Sequence, residues 1–480
     1  MNEPIIMLLR HASQYLIIRL LTGLFGFAGL AVYTRLLSPA QYGSYTLVIA
    51  AVGLGNAVLF HWMRAALLRF HPAAGQELKD LASTTLGAFI LLVVMTGVAG
   101  AGSAFFVLDS QIRQLIMIGI PLLWAMAWME TVLTLSRIQL RPMRYGLLSV
   151  AKSASALLLG AVGVLVFELG ELGPLLGLLV AALLFGAAGL RDSTWQVRPR
   201  LNRQWLARTL RYGWPLTATF ALVFVISASD RFLIAALLTT ADAGVYAPAY
   251  DLANQTLTSL MVVVNLAAYP LALKALEAEG VIAARDQLRN NATLLLAVGL
   301  PACIGLILLS PNISAVLLGE EFREAASVLL PLVTVATFLS GVRSYYFDLA
   351  FQMGHRTIGQ LWVMLPAAMA NVLLNLWWIP LHGLVGAAWA TVVSYGLALL
   401  LSIFLGRRAF VLGFPWHDAS KVLIAAGGMA IAVAQVSDQL GVVALLGQVA
   451  LGGIVYGGLV ILLNVANCRE RLSCSLGGLS

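Results

Sequence analysis

Residues 218–238 read ATFALVFVISASDRFLIAALL, an apolar run that nevertheless contains two charged residues, Asp230 and Arg231. A helix needs about 20 mainly apolar residues to cross a hydrocarbon core of about 30 Å, and this run has that length. A charge inside such a helix costs about 2.5–3.5 kcal/mol on insertion scales, so embedded charges usually serve a function. The stretch therefore predicts a membrane helix that carries functional charges.

The rest of the chain has the same character. Of its 480 residues, 60% are hydrophobic and 10% are charged, whereas soluble proteins have about 25% charged residues. About fourteen apolar stretches follow one another, and each is continuous rather than alternating, which favours helices over barrel strands. We predict an all-α integral membrane protein with about 14 transmembrane helices.

The basic residues indicate orientation. The net charge is +8, and with the N-terminus inside, most of the 29 Lys and Arg residues fall on the inner side of the predicted helices. This asymmetry follows the positive-inside rule and predicts that both termini are cytoplasmic. It accounts for the basic excess without a nucleic-acid partner.

Two internal echoes indicate a duplication. LLSPAQYGSY at 36–45 aligns without gaps on LLTTADAGVY at 237–246, and IQLRPMRYGLL at 138–148 resembles FQMGHRTIGQL at 351–361. In each echo the two similar stretches lie at turns that are six predicted helices apart. This spacing predicts two six-helix lobes in the same orientation around a central cleft, as in some transporters. The expected domains are an N-lobe at 1–206, a C-lobe at 207–410, and two additional helices with a cytoplasmic tail at 411–480.

Few ionisable residues lie within or near the predicted helices. Basic side chains that line a cleft suit an anionic ligand, because a guanidinium matches the oxygens of a phosphate. The candidates for substrate binding are Arg19, Arg35, Arg64, Arg231 and Arg343. The candidates for coupling or gating are Glu130, Asp230, Asp251 and Asp348, and Lys152 is also embedded. Anchoring at the interface and structural pairing between helices are the alternatives for each.

The sequence lacks the motifs of the common enzyme classes. It contains no GxxxxGK[ST] loop, no HExxH pair, no GxSxG turn and no Cys/His cluster. We therefore expect no catalytic residues, no metal and no cofactor. Transport is the activity that this pattern favours.

Several stretches resemble a known family. YTRLLSPAQYGSYTLVIA at 33–50, SDRFLIAALLTTADAGVYAPAYDLA at 229–253, AAYPLALKAL at 267–276 and LHGLVGAAWAT at 381–391 are similar to the polysaccharide transporter family. These Wzx-type flippases of lipid-linked oligosaccharides belong to the multidrug/oligosaccharidyl-lipid/polysaccharide (MOP) superfamily. Arg35 with the turn after it and the Asp230–Arg231 pair carry the family pattern, whereas Arg19 rests on its embedded position.

The resemblance implies a flippase of the bacterial inner membrane. Such a protein moves an undecaprenyl-diphosphate-linked oligosaccharide to the periplasmic face by alternating access, for O-antigen, capsule, lipopolysaccharide or exopolysaccharide synthesis. Its expected partners are that substrate, membrane lipid, and a polysaccharide polymerase or chain-length machinery. Two alternatives stay open, a cation-coupled multidrug exporter of the same superfamily and a membrane glycan polymerase. The sugar and the coupling ion are not determined by the sequence.

Overall fold

A computed structural model describes residues 3–356 and 358–469, with side chains from residue 17 onward except 193 and 267. Every regular element in this part of the chain is a helix, and thirteen helical segments are long and apolar enough to span a membrane. The expectation of an all-α integral membrane protein is confirmed. The predicted tail from residue 470 onward lies outside the described residues.

The predicted count of fourteen spans is reached because one helical segment contains two. Ile358–Gly406 has 49 residues, about 73 Å at 1.5 Å per residue, which is more than twice the thickness of a hydrocarbon core. Gly383 interrupts it with φ 58° and ψ −139°, a conformation that a side chain would disfavour. The chain therefore reverses there with almost no loop, and the segment forms two spans.

The helices follow one another with short connections. Their bounds are α1 Glu3–Leu36, α2 Pro39–Gly55, α3 His61–Phe70, α4 Leu78–Phe106, α5 Ser110–Ile138, α6 Pro142–Leu165, α7 Leu172–Gly186, α8 Arg203–Leu237, α9 Thr240–Ala253, α10 Ser259–Glu279, α11 Val281–Leu308, α12 Ser310–Leu317, α13 Glu320–Val342, α14 Leu349–Met353, α15 Ile358–Gly406, α16 Trp416–Ala434 and α17 Val442–Leu462.

Three spans contain a π-helical turn between two α-helical parts. These turns are Asn56–Phe60, Asn254–Thr258 and Arg343–Phe347. A π turn widens the helix locally and is frequent at functional sites. Hydropathy does not reveal such turns, because it counts apolar residues and is blind to the hydrogen-bonding register of the helix.

The first compact unit covers Met1–Gly244. In it α6 packs against α1 and α7, α5 packs against α2 and α7, and α3 packs against α8. Its apolar core is built around fully buried side chains such as Phe60, Leu122 and Leu175.

The predicted turn after α1 begins a second helix through local hydrogen bonds. Ser38 caps α2, because its hydroxyl accepts from the backbone N–H of Gln41 while the Gln41 side chain accepts from the N–H of Ser38. Pro39 occupies the first helical position, where its missing N–H costs nothing. This capping box explains why the stretch RLLSPAQYGSY ends one helix and begins the next.

The two echoed turns meet inside this unit. A Cβ placed on Gly43 would overlap the carbonyl group of Thr240, and one placed on Gly244 would overlap that of Pro39. Gly43 and Gly244 are equivalent in the repeat, as are Pro39 and Thr240, so the contact is the same from both sides. The start of α2 and the start of α9 therefore cross backbone to backbone, and only glycine fits.

The second compact unit covers Val245–Ser480. In it α10 packs against α11, α13 against α15, and α16 against both α11 and α17. A buried polar network attaches the last two helices. Asn312 donates to Gln448 Oε1 at 2.7 Å and accepts from the N–H of Gly441 at 2.8 Å, while Gln448 donates to the carbonyl of Val436 at 2.7 Å. The hairpin of α16 and α17 is thus fixed by fully paired groups.

Candidate functional site

Arg64 is the best-defined cation in the first unit. It is half-buried in α3, and its Nη1 donates to Oδ1 of Asn56 at 2.6 Å. Asn56 opens the π turn of this span, so the turn supplies the group that positions the guanidinium. An amide oxygen carries no formal charge and leaves the charge of Arg64 uncompensated. The other guanidinium donors make no hydrogen bond with the described residues, so they are available to a ligand.

Glu130 lies at the centre of the charges around Arg64. Its carboxylate, half-buried in α5, acts electrostatically on His61, Arg64 and Lys152. Among the described residues, neither the Glu130 carboxylate nor the Lys152 ammonium has a hydrogen bond or an ion pair within 4 Å. This cation cluster, which we define as His61, Arg64, Glu130 and Lys152, therefore brings two basic side chains and one carboxylate within electrostatic range of one another. The excess of basic side chains over carboxylates favours the binding of an anion.

His61 completes the cluster on the side of α8. Its ring stacks on Phe220 with centroids 4.5 Å apart and planes at 6°. The stacking fixes the imidazole between α3 and α8, the helix that also carries Asp230 and Arg231.

Asp230 and Arg231 are both buried near the end of α8, which stops at Leu237. Asp230 has no exposed surface and Arg231 is 8% exposed, and both make contacts within the protein. Burial this complete is expected only for charges that are paired. The two residues therefore resemble a structural or gating element more than an open ligand site.

Arg343 and Asp348 form a buried ion pair in the second unit. Nη1 of Arg343 donates to Oδ2 of Asp348 at 2.7 Å, and Ser402 donates to the other carboxylate oxygen at 2.6 Å. Arg343 begins a π turn and Asp348 follows it, so the turn brings the two side chains together. Removal of one partner is costly, because it leaves the other charge buried without compensation.

The repeat relates these two sets of charges. The offset that aligns Gln139 with Gln352 also aligns Glu130 with Arg343. Equivalent helices therefore carry opposite charges at equivalent positions.

The remaining predicted residues lie at more open positions. Arg19 and Arg35 are exposed on α1, and Arg35 donates to the carbonyl of Ala31 at 2.6 Å. Asp251 is half-buried in α9 and makes contacts within the protein.

A second buried carboxylate stabilises the predicted inner end of the first unit. Asp192 accepts from Arg144 Nη1 at 2.8 Å, from the N–H of Thr194 at 3.1 Å and from Gln139 at 3.2 Å. Burial alone would raise the pKa of Asp192, but the hydrogen bonds from Arg144, Thr194 and Gln139 outweigh it and lower the pKa to about 2. This group joins α5, α6 and the segment after α7.

Sequence reasoning missed three members of these arrangements. Asn56 and His61 attract no attention within an apolar run, and Lys152 was noted only as embedded. Their importance depends on spatial proximity to Glu130 and Arg64, which are far from Lys152 in the chain. The available signals were the single polar residue Asn56 in an otherwise apolar run and the basic stretch HWMR shortly after it.

The fold is similar to those of known membrane proteins. It matches a lipid II flippase MurJ in an inward closed conformation with a TM-score of 0.79 and 14% identity, covering 95% of this chain and 99% of that one. It also matches a MATE family multidrug resistance transporter of the MOP superfamily, in an inward-facing conformation (TM-score 0.61, 16% identity, 86% and 99% covered). An outward-facing conformation of such a transporter matches with a TM-score of 0.59 and 15% identity, covering 88% of this chain and 97% of that one.

The sequence itself carries a family assignment, although no curated protein matches the chain. The sequence profile described as polysaccharide biosynthesis protein matches residues 32–327, which is more than half of the 480 residues. The resemblance seen in the sequence motifs is thereby confirmed. The chain belongs to the polysaccharide biosynthesis protein family and has the fold of the MOP superfamily.

Proposed function

We propose that this multi-pass membrane protein is a flippase, not an enzyme, and moves an undecaprenyl-diphosphate-linked oligosaccharide from the cytoplasmic to the periplasmic face of a bacterial inner membrane. The observation that carries the proposal is the cation cluster, where Arg64 and Lys152 lie near Glu130 and have no ion pair within 4 Å among the described residues. Family membership supports a role in polysaccharide biosynthesis, and a similar fold serves a lipid II flippase, whose cargo is also a lipid. Delivery to a polysaccharide polymerase or chain-length machinery, for O-antigen, capsule or exopolysaccharide, extends the same proposal.

Arg64 is the proposed primary ligand of the diphosphate. Its guanidinium is held by Asn56 through one donor and presents the others. Lys152 adds a second positive charge on α6. Charge-assisted hydrogen bonds of this kind contribute about 1.5–3 kcal/mol each, or about 10- to 150-fold in affinity.

Glu130 is the proposed coupling residue. Without cargo, its carboxylate is the anion that Arg64 and Lys152 have nearby. A diphosphate would compete with it for the same cations, so the arrival of the cargo would release or protonate Glu130. The buried Asp230 and Arg231, the half-buried Asp251 and the Arg343–Asp348 pair are proposed to act as gates. The exposed Arg19 and Arg35 are proposed to meet the cargo outside the cluster.

The direct test uses a strain that lacks this protein. Arg64→Gln and Lys152→Gln should reduce surface polysaccharide at least tenfold at equal expression and should accumulate lipid-linked glycan at the cytoplasmic face. Arg69→Gln is the matched control, because Arg69 is an exposed arginine at the end of the same helix. Normal surface polysaccharide in the Arg64/Lys152 double variant would contradict the mechanism.

The alternatives predict different outcomes. A cation-coupled drug exporter, whose fold is also similar, would make the deletion strain sensitive to cationic dyes, and Glu130 rather than Arg64 would dominate. A glycan polymerase would lengthen glycan chains in purified vesicles that contain no other protein.

A further inference from the structure

A cavity of about 290 Å³ lies within the second unit, separate from the cation cluster. It is enclosed by α11, α13, the Arg343–Phe347 turn, the last turns of α15 and the segment that leads to α16. Its walls are apolar and largely aromatic, with Phe338, Leu339, Phe347, Leu399, Phe410 and Trp416 among the lining residues. The volume lies just below the range of about 300–1,000 Å³ for small-molecule sites, so it fits part of one hydrocarbon chain rather than a whole lipid.

One wall of the cavity is a segment fastened at two points. Nε of Arg285 donates to the carbonyl of Val411 at 3.0 Å, and the hydroxyl of Tyr346 donates to the carbonyl of Gly413 at 2.7 Å. These bonds hold residues 409–415 against α11 and the Arg343–Phe347 turn. The cavity is therefore suited to a resident ligand, whereas a transported lipid has to leave with its head group.

The mouth of the cavity is positively charged. Arg407 lines it, Arg285 lies 5.7 Å from the ring centre of Phe410, and Arg289 acts electrostatically on Tyr346. The acidic residue beside Arg285 is Asp286, which is exposed and points away around the helix by about 100°. The carboxylate of Asp348 is already paired with Arg343. The charge at the mouth thus favours an anionic head group.

The cavity also borders the buried ion pair. Ser402 lines the cavity and donates to Oδ1 of Asp348, and Phe347 lines it from the π turn that begins at Arg343. A chain that fills the cavity would pack against this turn. Occupancy should therefore stabilise the second unit.

We propose that the cavity binds one acyl chain of an anionic glycerophospholipid from the inner leaflet, with the phosphate on Arg407. Basic pockets between membrane helices on the cytoplasmic side are recognised sites for anionic lipids, and the positions of the basic residues place this mouth on that side. The lipid acts as a structural ligand and does not depend on what the protein transports.

The test is lipid binding to the full-length protein in detergent. Native mass spectrometry with dioleoyl phosphatidylglycerol should show one retained lipid, and the same concentration of dioleoyl phosphatidylcholine should show at least about fivefold less. Arg407→Gln should weaken phosphatidylglycerol binding about fivefold, the effect of one arginine near a phosphate. Arg408→Gln is the matched control, since this neighbouring exposed arginine does not line the cavity.

Filling the cavity provides an independent arm. Leu339→Trp should abolish retention of phosphatidylglycerol and remove the rise in Tm that the lipid gives to the wild-type protein. If Leu339→Trp fails to elute as a folded monodisperse species, Leu399→Trp from α15 takes its place. Equal retention of phosphatidylglycerol by Arg407→Gln and Arg408→Gln, or unchanged retention by a folded tryptophan variant, would overturn the proposal. Displacement of phosphatidylglycerol by an equimolar polyprenyl phosphate would also overturn it, because the site would then belong to the cargo.

Discussion

The crossing of Gly43 and Gly244 provides a direct mutational test of the fold. An alanine methyl group at Gly43 would lie 2.9 Å from the carbonyl carbon of Thr240 and would overlap the oxygen, while ordinary contact begins near 3.4 Å. The obstacle is backbone, so no side chain can rotate away. The helices must separate, and overpacking of this kind costs about 1–3 kcal/mol.

A second effect opposes this cost. Alanine in a helix is about 1 kcal/mol more favourable than glycine, and Gly102→Ala, where the new methyl meets nothing within 4 Å, should show that gain alone. We expect Gly43→Ala and Gly244→Ala each to be about 1–3 kcal/mol less stable than Gly102→Ala, which lowers their Tm relative to that control by several degrees at about 2–4 °C per kcal/mol. The Gly102→Ala control should match or exceed the wild type.

The double variant sharpens the test. Because both methyl groups enter the same gap, one separation of α2 from α9 accommodates both, and Gly43→Ala/Gly244→Ala should lose less than the sum of the single variants. Thermal denaturation in one detergent at one pH compares all four proteins. If Gly43→Ala is as stable as Gly102→Ala, the two helices do not cross this closely and the reasoning fails.

Three further predictions concern buried polar groups. The pKa of Asp192 is lower in the folded protein than in the unfolded chain, so its carboxylate stabilises the fold above the unfolded pKa of about 3.9. This stability is lost as the pH falls to about 2, and the difference in Tm between wild type and Asp192→Asn should shrink across that range. Asp348→Asn leaves the charge of Arg343 buried without its partner and should cost about 3–5 kcal/mol in thermal unfolding, whereas Arg343→Met/Asp348→Leu should cost less; equal losses would argue against the pair. Asn312→Leu leaves Gln448 Oε1 and the N–H of Gly441 without a partner, which should cost about 1–3 kcal/mol per group and speed hydrogen exchange in α16 and α17. Unchanged exchange would show that the network does not hold the hairpin.

Hydropathy and the repeat were enough to predict the fold class and the fourteen spans. Each membrane helix must satisfy its own backbone, so a continuous apolar run of sufficient length leaves few alternatives. The stretch around Ser38 also predicted its turn, because the cap, the proline and the following glycine act over a few residues. These features depend on local sequence, which is why they could be predicted.

The candidate site was only partly predictable. The charges of Arg64 and Glu130 stand out in the sequence, but their proximity depends on how α3 packs beside α5. The π turn at Asn56 is invisible to any apolar count. Asp192 was overlooked because it lies in a connection rich in basic residues. The sequence analysis used such residues, Arg144 among them, only to assign the inner side of the membrane, although Arg144 pairs with Asp192. Contacts between residues far apart in the chain account for each of these omissions.

The opposite charges of Glu130 and Arg343 show that the two halves of the chain are not interchangeable. At the offset of the second echo, Glu130 in the first half of the chain aligns with Arg343 in the second half, so the two aligned positions carry charges of opposite sign. A chain built from two identical first halves would carry two carboxylates and lose the Arg343–Asp348 pair altogether. The pair belongs wholly to the second half of the chain, so two copies of the first half would not reproduce it.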